Sequence, residues 1–271
     1  MVEAILSLGG LGLVFGVLLG VAARKFAVEK DPKAVEITEV LPGANCGACG
    51  FPGCSGLAAA IAKGEAPVNG CKVGGAAVAA RVAEIMGVQA AGDEERRIAH
   101  LLCRGGHGVA VQRAKYEGLT DCRSAAAFGS GGKACSFGCV GLGNCVRACP
   151  FGALSLGPDG LPVVDKEKCT GCGICVKTCP KGVLALVPEH AKVFVACSSK
   201  APGREVRQVC RVGCIACRIC EKTCESDAIH VADNLARIDY AKCSNCGRCA
   251  EKCPQKIIVN EQAQEKQAAA N

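Results

Sequence analysis

Twenty-four of the 271 residues are cysteine, and most of them fall in closely spaced groups. Three blocks share one spacing, in which two residues separate the first three cysteines and three residues precede the fourth. They are Cys169, Cys172, Cys175 and Cys179 with Pro180 behind it; Cys214, Cys217, Cys220 and Cys224 with Glu225 in the proline's place; and Cys243, Cys246, Cys249 and Cys253 with Pro254. A further block is stretched, with Cys135, Cys139, Cys145 and Cys149 followed by Pro150. Three thiolates at such short intervals wrap one corner of an iron–sulfur cubane. The fourth reaches across to a second cluster, as in two-cluster ferredoxins. Zinc sites pair two such elements across a longer loop, so zinc fits these blocks poorly.

The crossover rule yields explicit ligand sets. One ferredoxin unit takes Cys135, Cys139 and Cys145 with Cys179, and Cys169, Cys172 and Cys175 with Cys149. The other takes Cys214, Cys217 and Cys220 with Cys253, and Cys243, Cys246 and Cys249 with Cys224. Gly138, Gly141 and Gly143 are expected to let the stretched loop close, and loss of the proline after Cys224 to loosen its block. Ahead of these blocks, Cys46, Cys49, Cys54 and Cys71 form a set around NCGACGFPGC, read as a fifth [4Fe–4S] site with zinc as the alternative. Cys103, Cys122, Cys197 and Cys210 remain. Four thiols is the number one more cluster needs, and buried free thiols are the alternative. The expected cofactors are thus five [4Fe–4S] clusters, with a sixth open.

Other chemistry is hard to place. There is no P-loop, nucleophile elbow or paired carboxylate motif, and the GLG at 141–143 lies inside a cysteine loop instead of at a strand-to-helix turn. His100, His107, His190 and His230 read as ordinary surface or loop residues. The formal charge of +7 counts every cysteine as neutral. Five cubanes on thiolates would add about −10, so the basic excess does not argue for nucleic acid.

The elements that must position the thiols are small. With no Trp, 2 Tyr and 7 Phe, the chain cannot build one large aromatic core, and bound metal is the usual substitute. Residues 4–23 carry no charge and are followed at once by Arg24 and Lys25. Twenty apolar residues suffice to span a bilayer. The positive-inside rule then puts the bulk of the chain on the cytoplasmic side of the cytoplasmic (inner) membrane as a single-pass protein. Cysteines there stay reduced. Gly12, Gly16 and Gly20 share one face of this helix, suited to packing on another membrane helix.

Helices are expected over 57–64 and 75–87, the second ending at Gly87. Strand pairs are expected at 153–156 with 161–164, 183–187 with 192–196, and 228–232 with 235–239. The fold class is therefore α+β. It comprises a membrane anchor helix (1–26), a small helical 4Fe–4S domain (30–90), a connecting segment (91–130), two 2[4Fe–4S] bacterial-ferredoxin-like units (131–190 and 210–259) around an insertion (191–209), and a polar tail (260–271).

The anchor, then NCGACGFPGC with a distant Cys, then CSFGCVGLGNCVRACPFGAL and CTGCGICVKTCPKGVLALVP, resembles the B subunit of the Rnf complex, an ion-translocating oxidoreductase. The likeness extends to about residue 258. A second ferredoxin unit makes it similar to the longer form of that family member found in anaerobic bacteria. The resemblance implies a relay subunit that accepts electrons from reduced ferredoxin in a ferredoxin:NAD oxidoreductase coupled to Na⁺ or H⁺ movement. It would pass them to partner subunits, nucleotide binding lying elsewhere in the complex. The alternatives are an iron–sulfur subunit of another membrane oxidoreductase such as a hydrogenase, and a metal-folded redox sensor.

Overall fold

The structure, a computed structural model, describes residues 2–26, 31–89 and 95–263. The polar tail from 264 onward lies outside them. Helix α1 (Val2–Lys25) contains the stretch Leu6–Lys25, the one helix among the described residues that is long and apolar enough to cross a membrane. The leucines and valines of Leu6–Lys25 are exposed, as an apolar surface in lipid would be.

The N-terminal module packs α3 (Gly53–Ala62) and α4 (Gly75–Met86) against α2 (Pro32–Val40). Asp31 caps α2 by accepting from Lys33 N at 2.9 Å. Gly87 closes α4 in the left-handed region, φ 71°, where a side chain would be strained. Ile37, Leu57, Ile61 and Val82 form a fully buried centre, with Cys49, Cys54 and Cys71 packed at its rim.

The remainder is built twice to one plan. In the first unit, β1 (Arg97–Leu101) pairs antiparallel with β4 (Leu184–Pro188), and β2 (Leu154–Leu156) with β3 (Pro162–Val164). In the second, β5 (Val193–Val195) pairs with β8 (Ile258–Asn260), and β6 (Ile229–Ala232) with β7 (Leu235–Ile238). Each unit is thus an inner hairpin plus an outer pair that joins its first and last strands. The expected pairing of 183–187 with 192–196 does not occur, because β4 ends one unit and β5 begins the next. Accordingly 97–101 belongs to a sheet and is no mere connection. The other two strand pairs and both expected helices lie within one to four residues of their expected ends.

Short helices carry cysteines between the strands: α5 (Cys122–Ala127), α6 (Asn144–Arg147), α7 (Ile174–Thr178), α9 (Ile219–Thr223) and α10 (Arg248–Glu251), with α8 (Gly203–Val209) following β5 in the second unit. One residue in the left-handed region precedes each of α6, α7, α9 and α10: Gly143, Gly173, Arg218 and Gly247. Glycine adopts this turn freely; the third block does it with Arg218 at φ 58°. Val193, Ile229 and Ile257 centre the second unit's core, and Ile98, Leu154 and Leu184 the first's. Buried cysteines complete both.

Candidate iron–sulfur sites

Five cavities are each ringed by four cysteines. Cys149, Cys169, Cys172 and Cys175 line one; Cys214, Cys217, Cys220 and Cys253 line another; Cys224, Cys243, Cys246 and Cys249 a third. All three quartets follow the crossover rule. They arise because each ligand-bearing helix presents one cysteine to the near cavity while the cysteine four residues on reaches the far one.

The stretched block behaves differently. The fourth cavity is lined by Cys122, Cys139, Cys145 and Cys179, and the fifth by Cys103, Cys135, Cys197 and Cys210. The expectation that Cys135 joins Cys139, Cys145 and Cys179 is corrected, as is the grouping of Cys122 with Cys103, Cys197 and Cys210. The two cysteines exchange places. Five residues between Cys139 and Cys145 make too long a loop for the tight three-thiol wrap, and Cys122 fills the corner from α5. Asn144 holds it there. Its carboxamide accepts from Cys122 N at 3.1 Å and donates to Asp121 at 2.6 Å, while Asp121 caps α5 through Ser124 N at 2.7 Å. An N-cap Asp directly before an isolated Cys was the signal available in the sequence.

In the N-terminal module, burial raises the Cys71 thiol, with Cys54 and Cys49 close enough to add to it. Asn45 accepts from Cys54 N at 2.8 Å and so fixes the loop at the start of α3. Cys46 lies near enough to Cys172 of the first ferredoxin unit to disfavour its ionisation, and Lys177 of that unit donates to Ala48 O at 3.4 Å.

The donor sets fit cubane clusters. Among the described residues no three Cys, His, Asp or Glu converge on a point where one ion could sit, so the thiols surround a volume. Backbone amides point at sulfurs: Ala99 N to Cys169 at 3.5 Å, and Ala228 N to Cys224 at 3.3 Å. The buried Thr170 side chain lines the cavity of Cys169 and Cys172, and its hydroxyl favours the ionised Cys172 sulfur. Burial, aided by neighbouring sulfurs, pushes Cys139, Cys175 and Cys220 up to about 12. Such thiols ionise only when metal charge is supplied, so loading releases protons. Cys224 runs the other way. Burial opposes its ionisation, but Ser226 Oγ at 3.5 Å and the Ala228 amide hold it below the usual range. Ser226 thus supports the block that lacks its proline.

His100 departs from its expected surface role. It is buried on β1, edge-to-face with Phe194 at 4.5 Å between ring centroids. His107, His190 and His230 are exposed as expected.

Repeated four-cysteine cavities on paired ferredoxin-like units define an iron–sulfur electron-transfer protein, and comparison with known proteins agrees. Family models for an Fe-S cluster domain, a 4Fe-4S dicluster domain and a 4Fe-4S binding domain match residues 41–73, 134–183 and 236–259. The chain is 47% identical, over 94% of its length and 76% of the relative's, to the B subunit of the Na(+)-translocating ferredoxin:NAD(+) oxidoreductase complex of Acetobacterium woodii. It is 44% identical to the B subunit of the ion-translocating oxidoreductase complex of Methanosarcina acetivorans (95% of the chain, 97% of the relative). It is also 44% identical to the B subunit of the proton-translocating ferredoxin:NAD(+) oxidoreductase complex of Clostridium ljungdahlii (96% and 95%). The chain belongs to the family of B subunits of Rnf-type ion-translocating oxidoreductase complexes. It is an iron–sulfur subunit of such a complex, and α1 fits a membrane subunit.

Proposed function

We propose that this chain is the electron-entry relay of an Rnf-type ferredoxin:NAD oxidoreductase. It takes electrons from reduced ferredoxin on the cytoplasmic side and hands them to the other subunits of the complex. The supporting observation is the series of cysteine quartets that follow the two-cluster ferredoxin rule, with Cys217 and Cys246 exposed at the C-terminal unit. Each [4Fe–4S] cluster supplies reversible one-electron carriage. The ligands we assign are the Cys46–Cys71 set, the Cys122 and Cys149 quartets of the first unit, and the two quartets of the second.

This chain's own residues hold the clusters, tune them through N–H···S bonds, and present a docking surface. On the same unit, Lys222, Lys252 and Lys256 are exposed and form no ion pair among the described residues. Lys252 and Lys256 flank the ligand Cys253. Unpaired lysines beside a reachable cluster suit an acidic, low-potential donor such as ferredoxin. Of the carboxylates nearby, Glu221 is paired with Arg218 and Glu225 with Arg248, while Glu251 on α10 is exposed beside Lys252.

The test is rapid mixing of the anaerobic full-length protein with reduced ferredoxin, following bleaching of the cluster absorbance. Fast reduction that slows several-fold between low salt and 0.5 M salt is expected. Slow reduction indifferent to salt would remove direct docking.

A further inference from the structure

Of the four cysteines that line one cavity, Cys103, Cys135, Cys197 and Cys210, Cys135 alone lies within a matched family segment. These cysteines come from four separate stretches of chain. Short antiparallel contacts gather them: Ala110 bridges Cys210, Gln112 bridges Lys133, and Val111 N donates to Val209 O at 2.9 Å. The wall is built close to the sulfurs. A Cβ on Gly105 would stand 3.6 Å from the Cys210 sulfur and 3.7 Å from that of Cys103.

Amides also converge on these sulfurs. Gly105 N and Cys139 N each donate to Cys103 Sγ at 3.4 Å, while Ser199 N and Cys214 N donate to Cys197 Sγ at 3.4 and 3.5 Å. This is the surrounding the ferredoxin quartets have, at a place where no ferredoxin spacing exists. Idle buried thiols would not need four donors.

Lys133 adds a separate observation. It is 7% exposed, and its ammonium donates to Gly105 O at 2.9 Å and Cys139 O at 2.8 Å. It forms no ion pair with any described carboxylate. A buried ammonium held by carbonyls alone is costly unless anionic charge lies nearby. Gly105 lines this cavity and Cys139 lines the next, so the lysine stands between the two. Clusters of net charge about −2 on both sides would supply the compensation.

We propose that Cys103, Cys135, Cys197 and Cys210 hold a sixth [4Fe–4S] cluster that joins the two ferredoxin units, with Lys133 as the fixed positive charge between it and the cluster on Cys122, Cys139, Cys145 and Cys179. The joining role rests on the relay reading above; the site itself does not. Neighbouring sulfurs define the order. Cys46 lies by Cys172, Cys175 by Cys145, Cys139 by Cys103, and Cys197 by Cys214. The sixth site is therefore the step through which an electron leaves the C-terminal unit for the N-terminal half, one electron at a time, with the low-potential donor oxidised and the next cluster reduced.

Iron and acid-labile sulfide are counted on the anaerobic full-length protein. About 24 iron per chain is expected; about 20 overturns the site without any substitution being needed. The paired variant Cys135→Ala/Cys210→Ala then decides the ligands. Both residues serve one cluster here, so the pair loses about four iron and no more. Loss of about eight would return Cys135 to the ferredoxin cluster and overturn the assignment. Lys133→Met, monitored by EPR during reductive titration, is expected to move two cluster midpoints to more negative values and leave the others in place. Unmoved midpoints would remove the lysine's role. Should iron behave as expected while ferredoxin still fails to reduce the wild type, the relay reading falls and the site stands.

Discussion

The backbone amide of Cys122 donates to the side-chain oxygen of Asn144 at 3.1 Å, across 22 residues of chain. The same carboxamide donates to Asp121 at 2.6 Å, so one side chain ties the start of α5 to α6, which carries Cys145. Asn144→Ala removes both bonds and should cost about 2 kcal/mol. The cluster cavity that includes Cys122 should become the most labile. Iron per chain after brief exposure to a chelator should fall by about four in the variant and not in the wild type. Equal iron retention and an unchanged melting temperature would show that Cys122 needs no such tether.

Which cysteines share a cavity was legible from spacing in three cases, because the two-residue gaps leave the backbone a single compact way to present three sulfurs. The quartets of Cys149, Cys214 and Cys224 follow directly. Cys135 was not legible. It sits at the head of a block whose total count of cysteines is regular, and only the three- and five-residue gaps betray that it turns to a different cavity. Likewise the PEHA turn between 183–187 and 192–196 has the composition of a hairpin, yet β4 and β5 find partners far along the chain, at Leu101↔Leu184 register and at Val195↔Ile258 near the ends of separate units. Local turn chemistry carries no information on which unit a strand completes. His100 escaped for a related reason: a lone histidine carries no mark of burial until the strand that buries it, Arg97–Leu101, is paired.

In the N-terminal module, Gly53 stands at φ +80°, and a Cβ there would lie 2.8 Å from Asn45 Oδ1. That oxygen is the acceptor for Cys54 N. Gly53→Ala therefore combines a strained backbone with displacement of the group that fixes a ligand. The backbone part alone is worth about 1 kcal/mol. A lowered melting temperature together with loss of about four iron per chain is expected. Because the Cys46–Cys71 module is separate, the iron of the ferredoxin units should be retained, which EPR of the reduced variant would show.

His100 gives the fold a dependence on pH. Burial holds its imidazole below the ordinary value of 6.5; the Glu261 carboxylate, 3.9 Å away, opposes this, and Lys166 and Lys192 add to the burial effect. Above 6.5 folded and unfolded chains are both neutral at this residue, and it contributes no slope. As pH falls through that value the unfolded chain takes up the proton first, so stability is lost until the lower, folded pKa is reached. Melting curves of the anaerobic protein between about pH 8 and 5.5 should fall towards acid more steeply for the wild type than for His100→Gln. Parallel curves would assign the acid sensitivity to the clusters alone.

Charge on the C-terminal unit should govern the rate of reduction without touching any ligand. Lys222 and Lys252 are exposed on α9 and just after α10, close in sequence to the cavity-lining Cys220, Cys224 and Cys253. Neither makes an ion pair among the described residues, so reversing them costs the fold little. Lys222→Glu/Lys252→Glu changes the local charge by four units, and steering of an acidic protein is sensitive to this on the scale of about tenfold or more at low ionic strength. Reduced ferredoxin should therefore bleach the variant about tenfold more slowly at low salt. At high salt the two rates should converge, since the Debye length falls to about 3 Å at 1 M. A small uncharged reductant should reduce both proteins equally at any salt. If the variant is slow with that reductant too, the substitutions have damaged the clusters; if ferredoxin reduces both at one rate throughout, the donor docks elsewhere on the chain.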